Sequence, residues 1–155
     1  MWVESVEAMV RIIHEIERSR MGERQHVRGT AGAATPSVED AIALATVDAA
    51  EMLQVPLIVC FTRSGFTPKK VSALRPGIPI LALSTEASTC RHLALVWGVI
   101  PALAPHSDSY AQMFEVARRE VLQRGLAKAG DRVLVTAGVP FDVPGTTNLM
   151  KVEVV

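Results

Sequence analysis

The chain has 155 residues, the length of one ordinary domain, and 49% of them are hydrophobic, which is enough to form a sizeable core. Its 16 basic residues equal its 16 acidic ones, so the overall charge gives no reason to expect nucleic acid or an acidic membrane surface as a partner. The two cysteines lack the spacing of a disulfide framework, and no apolar run is long enough to span a membrane. These features predict a cytoplasmic protein with reduced thiols and with neither nucleic-acid nor membrane partners.

The N-terminal segment is predicted to be an amphipathic helix followed by a linker. Apolar residues recur at three- and four-residue steps between residues 4 and 20, which is the period of a helix with one apolar stripe. The periodicity ends in residues 21–36, where glycines and a proline predict a flexible linker. We therefore divide the chain into a helix and linker at 1–36 and a domain at 37–155. The helix is expected to dock its stripe on that domain or on a second chain.

The second part of the chain alternates helices with short apolar strands. It opens with Ser37 as a helix N-cap, and the helix that follows has Ile42, Ala45, Ala49 and Met52 on or near one face. Four apolar runs then predict strands, in the order PLIVCF, IPILALS, GVIPALA and DRVLVTAG. Because helical segments separate these runs, we expect a mostly parallel sheet with helices on both faces.

A fifth strand is predicted in the terminal segment TTNLMKVEVV. The connection GVPFDVPG is too short for a crossover helix, so this strand is expected to run antiparallel to the fourth. Polar and apolar residues alternate along it, with Met150, Val152 and Val154 on one face. A half-polar strand of this kind suits the edge of a sheet.

The turn after the first strand, Thr62–Thr67, is a candidate anion site. Ligands of open parallel sheets bind beyond the carboxyl ends of the strands, and this turn lies there. It combines hydroxyls with a guanidinium and a glycine, and it opens a helix whose free N–H groups favour an anion. The alternative is a capped strand–helix turn whose hydroxyls are used locally, and the residues alone leave both interpretations open. The candidate residues are Thr62, Arg63, Ser64, Gly65, Phe66 and Thr67.

The loop after the fourth strand, Gly138–Thr147, is a second candidate. If the first and fourth strands are neighbours, this loop lies beside the first turn, and Gly145, Thr146 and Thr147 can add backbone and hydroxyl donors. The loop contains Asp142 and no Lys or Arg, which disfavours a highly negative ligand. The alternative is a plain tight connection.

Signals for catalysis are poor. The four histidines are scattered, and none has a Cys or carboxylate at metal-ligand spacing, so each is interpreted as a surface or packing residue. The sequence contains neither a serine in a nucleophile elbow nor a GxGxxG motif. We therefore predict no catalytic residue and no metal ligand in this chain.

Several motifs in a fixed order resemble one known domain. The stretches TRSGFTPKKVSALRPGIPILALST, WGVIPALA, AGDRVLVTAGVP and GTTNLMKV are similar to the C-terminal domain of pyruvate kinase. The helix SVEAMVRIIHEIE also resembles the last helix of that enzyme's catalytic barrel. The resemblance covers nearly the whole chain, and it is the ordered combination that is specific.

The resemblance implies a three-layer α/β/α sandwich around a five-stranded mixed sheet with the last strand antiparallel. It also implies that phosphoryl transfer from phosphoenolpyruvate to ADP, with Mg²⁺ and K⁺, belongs to the barrel of the full-length enzyme. This chain alone is then expected to be inactive and to need no cofactor. The family binds a sugar phosphate or nucleotide monophosphate effector at the turn that matches Thr62–Thr67, under the loop Gly138–Thr147.

Two departures from the family pattern favour a monophosphate, a sulfate or an inactive remnant of the pocket. The covering loop has no basic residue, and Phe66 stands where some effector-binding members have a polar or basic residue. The domain also makes a subunit interface in the tetrameric enzyme, and a homo-oligomer through the last strand is expected here. The expected interface residues are Asn148, Met150, Val152 and Val154. The alternative function is a self-association module with a vestigial ligand site, and a free-standing enzyme is a weaker third hypothesis.

Overall fold

The computed structural model describes residues 2–20, 37–139 and 146–155. The predicted linker at 21–36 therefore lies outside the described residues, as does Gly145 of the second candidate loop. The chain divides into two compact units, Met1–Thr35 and Pro36–Val155.

The first unit contains helix α1, Trp2–Arg20. Glu4 lies in its first turn, where the helix dipole favours a negative charge. The apolar stripe predicted from the sequence is present, and its large side chains are exposed, from Val10 at 42% to Trp2 at 86%. The docking of this stripe on a second surface stays a prediction.

The second unit contains four helices and five strands in its described part. Ser37 is the N-cap of the first helix, and its hydroxyl accepts a hydrogen bond from the backbone N–H of Asp40 at 3.2 Å, as the sequence predicts. The elements, in chain order, are α2 (Val38–Met52), β1 (Ile58–Phe61), α3 (Phe66–Ala73), β2 (Ile80–Ser84), α4 (Ala87–Leu93), β3 (Val99–Leu103), α5 (Tyr110–Gln123), β4 (Arg132–Ala137) and β5 (Leu149–Val154).

The strands form one mixed sheet in the order β3-β2-β1-β4-β5. The pairs β3–β2, β2–β1 and β1–β4 are parallel, and only β5 runs antiparallel to its neighbour β4. The predicted architecture is therefore confirmed, including the antiparallel fifth strand at an edge. The first and fourth strands are neighbours, with Cys60 paired to Thr136.

Two buried clusters cover the two faces of the sheet. One packs α5 on the sheet through Ala117 and Val121, and the other packs α2, α3 and α4 on the opposite face. Because β1, β2 and most of β4 are buried on both faces, their sequences are continuous apolar runs rather than alternating ones. The unit is a three-layer α/β/α sandwich.

The buried face of α2 differs from the predicted one. Ala43, Thr46, Val47 and Ala50 are buried, whereas the side chain of Met52 is 82% exposed. Met52 follows Ala50 by two residues, which places it about 200° further around a helix of 3.6 residues per turn. Met52 therefore does not lie on the buried face of α2, and small residues bring α2 close to the sheet.

The order of the strands creates a switch point between β1 and β4. From β1 the chain moves outwards through β2 to β3, and α5 then returns it across the opposite face to β4 on the other side of β1. The loops that follow β1 and β4 therefore leave the same edge of the sheet side by side, with a helix layer on either face. In open α/β sheets such a crevice is the usual place for a ligand.

Candidate anion-binding site

A cleft of about 430 Å³ lies at the carboxyl ends of the parallel strands. Segments that follow β1, β2, β3 and β4 all contribute to its walls. Six of the residues that the sequence predicts as anion ligands line this cleft. They are Thr62, Arg63, Ser64, Phe66, Thr67 and Thr146.

The turn after β1 depends on Gly65. This residue is the N-cap of α3. Its φ is +82°, a left-handed backbone conformation that residues with a Cβ disfavour. A Cβ added there would approach the Leu93 side chain to 3.2 Å. The Gly65 N–H donates to the hydroxyl of Thr62 at 2.8 Å, which closes the turn. Gly65 thus shapes the turn and lets it pack against α4.

The three hydroxyls of the turn have different roles. That of Thr62 is used within the turn, as described above. That of Thr67 is buried and lies 2.7 Å from the hydroxyl of Thr147, which joins the turn to the chain that leads into β5. Ser64 is exposed and makes no hydrogen bond with the described part of the chain. Local use of hydroxyls, the alternative interpretation, therefore applies to two of the three.

The first turn of helix α3 lies at the cleft. Its N-cap is a glycine, so no side chain caps the first turn. The N–H groups of Phe66 and Thr67 have no acceptor within the helix, and Pro68 has no N–H at all. Both donor residues line the cleft, at the positive end of the helix dipole.

Arg63 is held by residues at the end of β2 and just after it. Its backbone carbonyl accepts hydrogen bonds from the hydroxyls of Thr89 at 2.8 Å and Ser84 at 3.4 Å. Its side chain lies 3.7 Å, Nε to Oε1, from Glu86, which also lines the cleft. These three partners of Arg63 were not predicted from the sequence. The usable signal was that all three lie at or shortly after the end of a strand that reaches the same edge of the sheet.

The opposite wall of the cleft is largely apolar. Met113 and Val116 of α5 form it together with Pro105. His106 also lines the cleft, with Nε2 at 3.2 Å from Oδ1 of the exposed Asp108. The position of His106 in the cleft was not predicted, because the sequence indicates only a surface or packing residue there.

The described ends of the loop after β4 are fixed by short-range contacts. The side-chain amide of Asn148 accepts from the N–H of Val139 at 2.8 Å and donates to the carbonyl of the same residue at 2.7 Å. Gly138 lies against Thr146 so closely that an added Cβ would overlap the Thr146 carbonyl. The loop therefore reaches the cleft at Gly138 and Thr146, beside the turn after β1.

The predicted interface strand β5 exposes an apolar row on the face that also carries α2. Met150, Val152 and Val154 are 39%, 41% and 56% exposed. On the other face, Glu153 accepts a hydrogen bond from the hydroxyl of Tyr110 at 3.0 Å and lies 2.6 Å from the ammonium group of Lys151. These contacts attach β5 to the start of α5.

Other groups of chemical interest lie away from the cleft lining. Both cysteines are free, and burial raises the pKa of the Cys60 and Cys90 thiols. Among the described residues, no three His, Cys, Asp or Glu side chains are grouped as a metal site. Within the same residues, no helix is both long and apolar enough to cross a membrane.

Comparison with known proteins identifies the family. A family model described as "Pyruvate kinase, alpha/beta domain" matches residues 40–153. A pyruvate kinase from Agrobacterium vitis is 39% identical over 150 residues, which cover 97% of this chain and 31% of that protein. The corresponding values are 44% over 119 residues for the enzyme from Geobacillus stearothermophilus (77% and 20%) and 33% over 153 residues for that from Clostridium acetobutylicum (99% and 32%). The chain thus spans between 20% and 32% of the length of these relatives. It belongs to the pyruvate kinase family, and residues 40–153 correspond to the alpha/beta domain of that family.

Proposed function

We propose that residues 37–155 are the regulatory domain of a pyruvate kinase and bind a phosphomonoester effector in the cleft. The observation that carries the proposal is the convergence of Arg63, Ser64 and the uncapped first turn of α3 on one cavity at the switch point of the sheet. Backbone N–H groups, a hydroxyl and a guanidinium are the donors that protein sites offer to phosphate oxygens.

The charge of the cleft favours a ligand with a single phosphate. Among the described lining residues, Arg63 is the only Lys or Arg, and Glu86 is an acidic residue beside it. A second phosphate group would therefore lack a counter-charge at this wall. The apolar surface of Met113 and Val116 suits the body of the ligand, a sugar ring or a nucleobase. A sugar monophosphate or a nucleoside monophosphate fits both features.

Calorimetric titration tests the binding. The 155-residue chain is titrated with AMP, ribose 5-phosphate, glucose 6-phosphate and fructose bisphosphate, and at least one monophosphate is expected to bind more tightly than the bisphosphate. Arg63→Ala should weaken binding about 10-fold or more, because a charge-assisted hydrogen bond is worth roughly 1.5–3 kcal/mol. Arg118→Ala is the control, since Arg118 is an exposed arginine on α5 that does not line the cleft. Absence of heat with all four compounds would refute the proposal.

The phosphoryl transfer itself is proposed for the full-length enzyme and not for this chain. By resemblance to the family, Mg²⁺ and K⁺ are proposed to bind in the catalytic barrel of the full-length enzyme. A coupled assay with phosphoenolpyruvate and ADP is expected to give no turnover with this chain. Measurable turnover would contradict the assignment.

Self-association through β5 is a second candidate function. The exposed row of Met150, Val152 and Val154 favours it, as does the position of β5 at the sheet edge. The N–H of Val155 donates to Asp131, and with the two-residue period of a strand the N–H groups of Met150, Val152 and Val154 point away from β4. They are therefore available to a second copy of the strand.

Sedimentation equilibrium at several concentrations tests this candidate. Val152→Pro removes one outward N–H without removing a bond to β4, and it is expected to shift the protein towards monomer. The control is Val38→Pro, which places the same change at an exposed first helical position where proline is tolerated. A wild-type monomer at all concentrations would refute the idea.

A further inference from the structure

We propose that Glu86 is a built-in competitor for the effector phosphate, a carboxylate that holds Arg63 and thereby sets the affinity of the cleft for anions. The proposal rests on the function proposed above, because it concerns the same cleft. It names a specificity-determining residue that the sequence did not reveal.

The Arg63–Glu86 ion pair has a geometry that allows another anion to replace Glu86 at Arg63. The contact joins Nε to one carboxylate oxygen at 3.7 Å, so the guanidinium is not engaged by both oxygens at hydrogen-bonding distance. The two side chains are 53% and 47% exposed, and an exposed ion pair of this kind contributes little to stability. A phosphate can displace the carboxylate from Arg63, but it has to compete with it.

Glu86 has no capping role that would explain its position. It is the N-cap of α4, where Ser, Thr, Asp and Asn normally accept a hydrogen bond from the first turn, yet its side chain makes no such bond. Its backbone N–H donates to the hydroxyl of Ser84 at 3.2 Å, so the backbone is fixed while the side chain extends to Arg63. The contact that the structure assigns to this carboxylate is therefore the one at the cleft.

The chain segments that carry Arg63 and Glu86 are tied together by hydrogen bonds. Thr89 and Ser84 hold the carbonyl of Arg63, and both belong to the same segment as Glu86. The backbones of Arg63 and Glu86 are thus linked on either side of the ion pair. Any anion that reaches the guanidinium meets the Glu86 charge beside it, and the repulsion weakens binding.

Titration with inorganic phosphate, followed by amide chemical shifts of the isotope-labelled full chain, tests the proposal. Glu86→Gln should lower the Kd for phosphate by about 2- to 5-fold, the range that exposed charge pairs give, because both side chains are about half exposed. Glu120→Gln is the matched control, because it also neutralises a glutamate paired with an arginine, Arg124 Nε at 2.9 Å, and changes the net charge equally. The control is expected to bind phosphate like the wild type.

Two further variants make the result decisive. Glu86→Asn places a good N-cap residue at the start of α4 and should tighten phosphate binding as Glu86→Gln does. Arg63→Ala combined with Glu86→Gln should abolish the gain. Phosphate binding by the wild type with an unchanged Kd in Glu86→Gln would overturn this inference alone. If neither protein bound phosphate, the proposed function would fail together with it.

Discussion

The hydrogen bond between Thr67 and Thr147 gives the sharpest test of how the cleft is held together. Their hydroxyl oxygens lie 2.7 Å apart, and the two residues are 4% and 0% exposed. Each hydroxyl has the other as its hydrogen-bond partner, and both residues are almost fully buried. The pair joins the start of α3 to the chain that enters β5.

Valine replacements at these positions should be strongly non-additive. Thr67→Val or Thr147→Val alone leaves one buried hydroxyl without its partner, which costs about 1–3 kcal/mol of unfolding free energy. The double variant removes both polar groups and keeps the volume, so it should lie within about 1 kcal/mol of the wild type. The double variant is therefore expected to be more stable than either single variant.

Urea denaturation monitored by circular dichroism measures the three variants. The midpoint should shift while the slope of free energy against urea stays constant, since the surface exposed on unfolding is unchanged. In thermal scans each kcal/mol corresponds to roughly 3–5 °C for a domain of this size. A double variant whose loss equals the sum of the two single losses would refute the reasoning.

Three further predictions follow from individual contacts. Thr136→Val should raise the unfolding free energy by about 1–2 kcal/mol in urea, because the Thr136 hydroxyl is buried and finds no partner in the described chain; a loss of stability would contradict this. Gly138→Ala should lower the unfolding free energy by about 1–3 kcal/mol and weaken phosphate binding, because the new methyl group displaces Thr146. Unchanged stability and binding would show that the loop accommodates the methyl group without cost. Burial and the carboxylate of Glu153 raise the pKa of Tyr110 in the folded state, and since the chain has a single tyrosine, absorbance at 295 nm should titrate above the ordinary value of 10.0. The unfolded chain then ionises first, so the unfolding free energy of the wild type should fall as pH rises past about 10, and Tyr110→Phe should lack this fall. An absorbance titration with its midpoint at or below pH 10.0 would refute the prediction.

Much of the fold could be predicted because each strand carries its own signal. The apolar runs before Thr62 and before Gly138 are continuous, which is what burial on both faces requires. The short connection between the last two strands decided their antiparallel pairing. The face of α2 was predicted less well, because an alanine-rich helix has several apolar stripes and only packing selects one of them.

The candidate site could be predicted for the turn after β1 and for Thr146 of the loop after β4, because both segments follow strands that were expected to be neighbours. Thr62–Thr67 is recognisable as a strand–turn–helix with polar residues, and its position is enough to suggest a site. Glu86, Ser84 and Thr89 come from another connection and meet Arg63 only through the tertiary fold. A glutamate at a helix start also looks ordinary in sequence, because negative charge is favoured there. What makes Glu86 informative is a contact that local periodicity does not encode.

The effector cleft and the self-association surface on β5 share one short stretch of chain, so the two functions should be coupled. Thr146 lines the cleft, Thr147 is bonded to the turn, and Met150 lies on the exposed edge of β5 only three residues after Thr147. We expect phosphate bound at this stretch to alter self-association, and by linkage self-association then alters phosphate affinity by the same factor, typically about 5-fold or more. Sedimentation with and without saturating inorganic phosphate should show this shift in the dimerisation constant, and Thr147→Val should reduce it. A constant that does not change, with both binding events measurable, would mean that the cleft and the edge strand act independently.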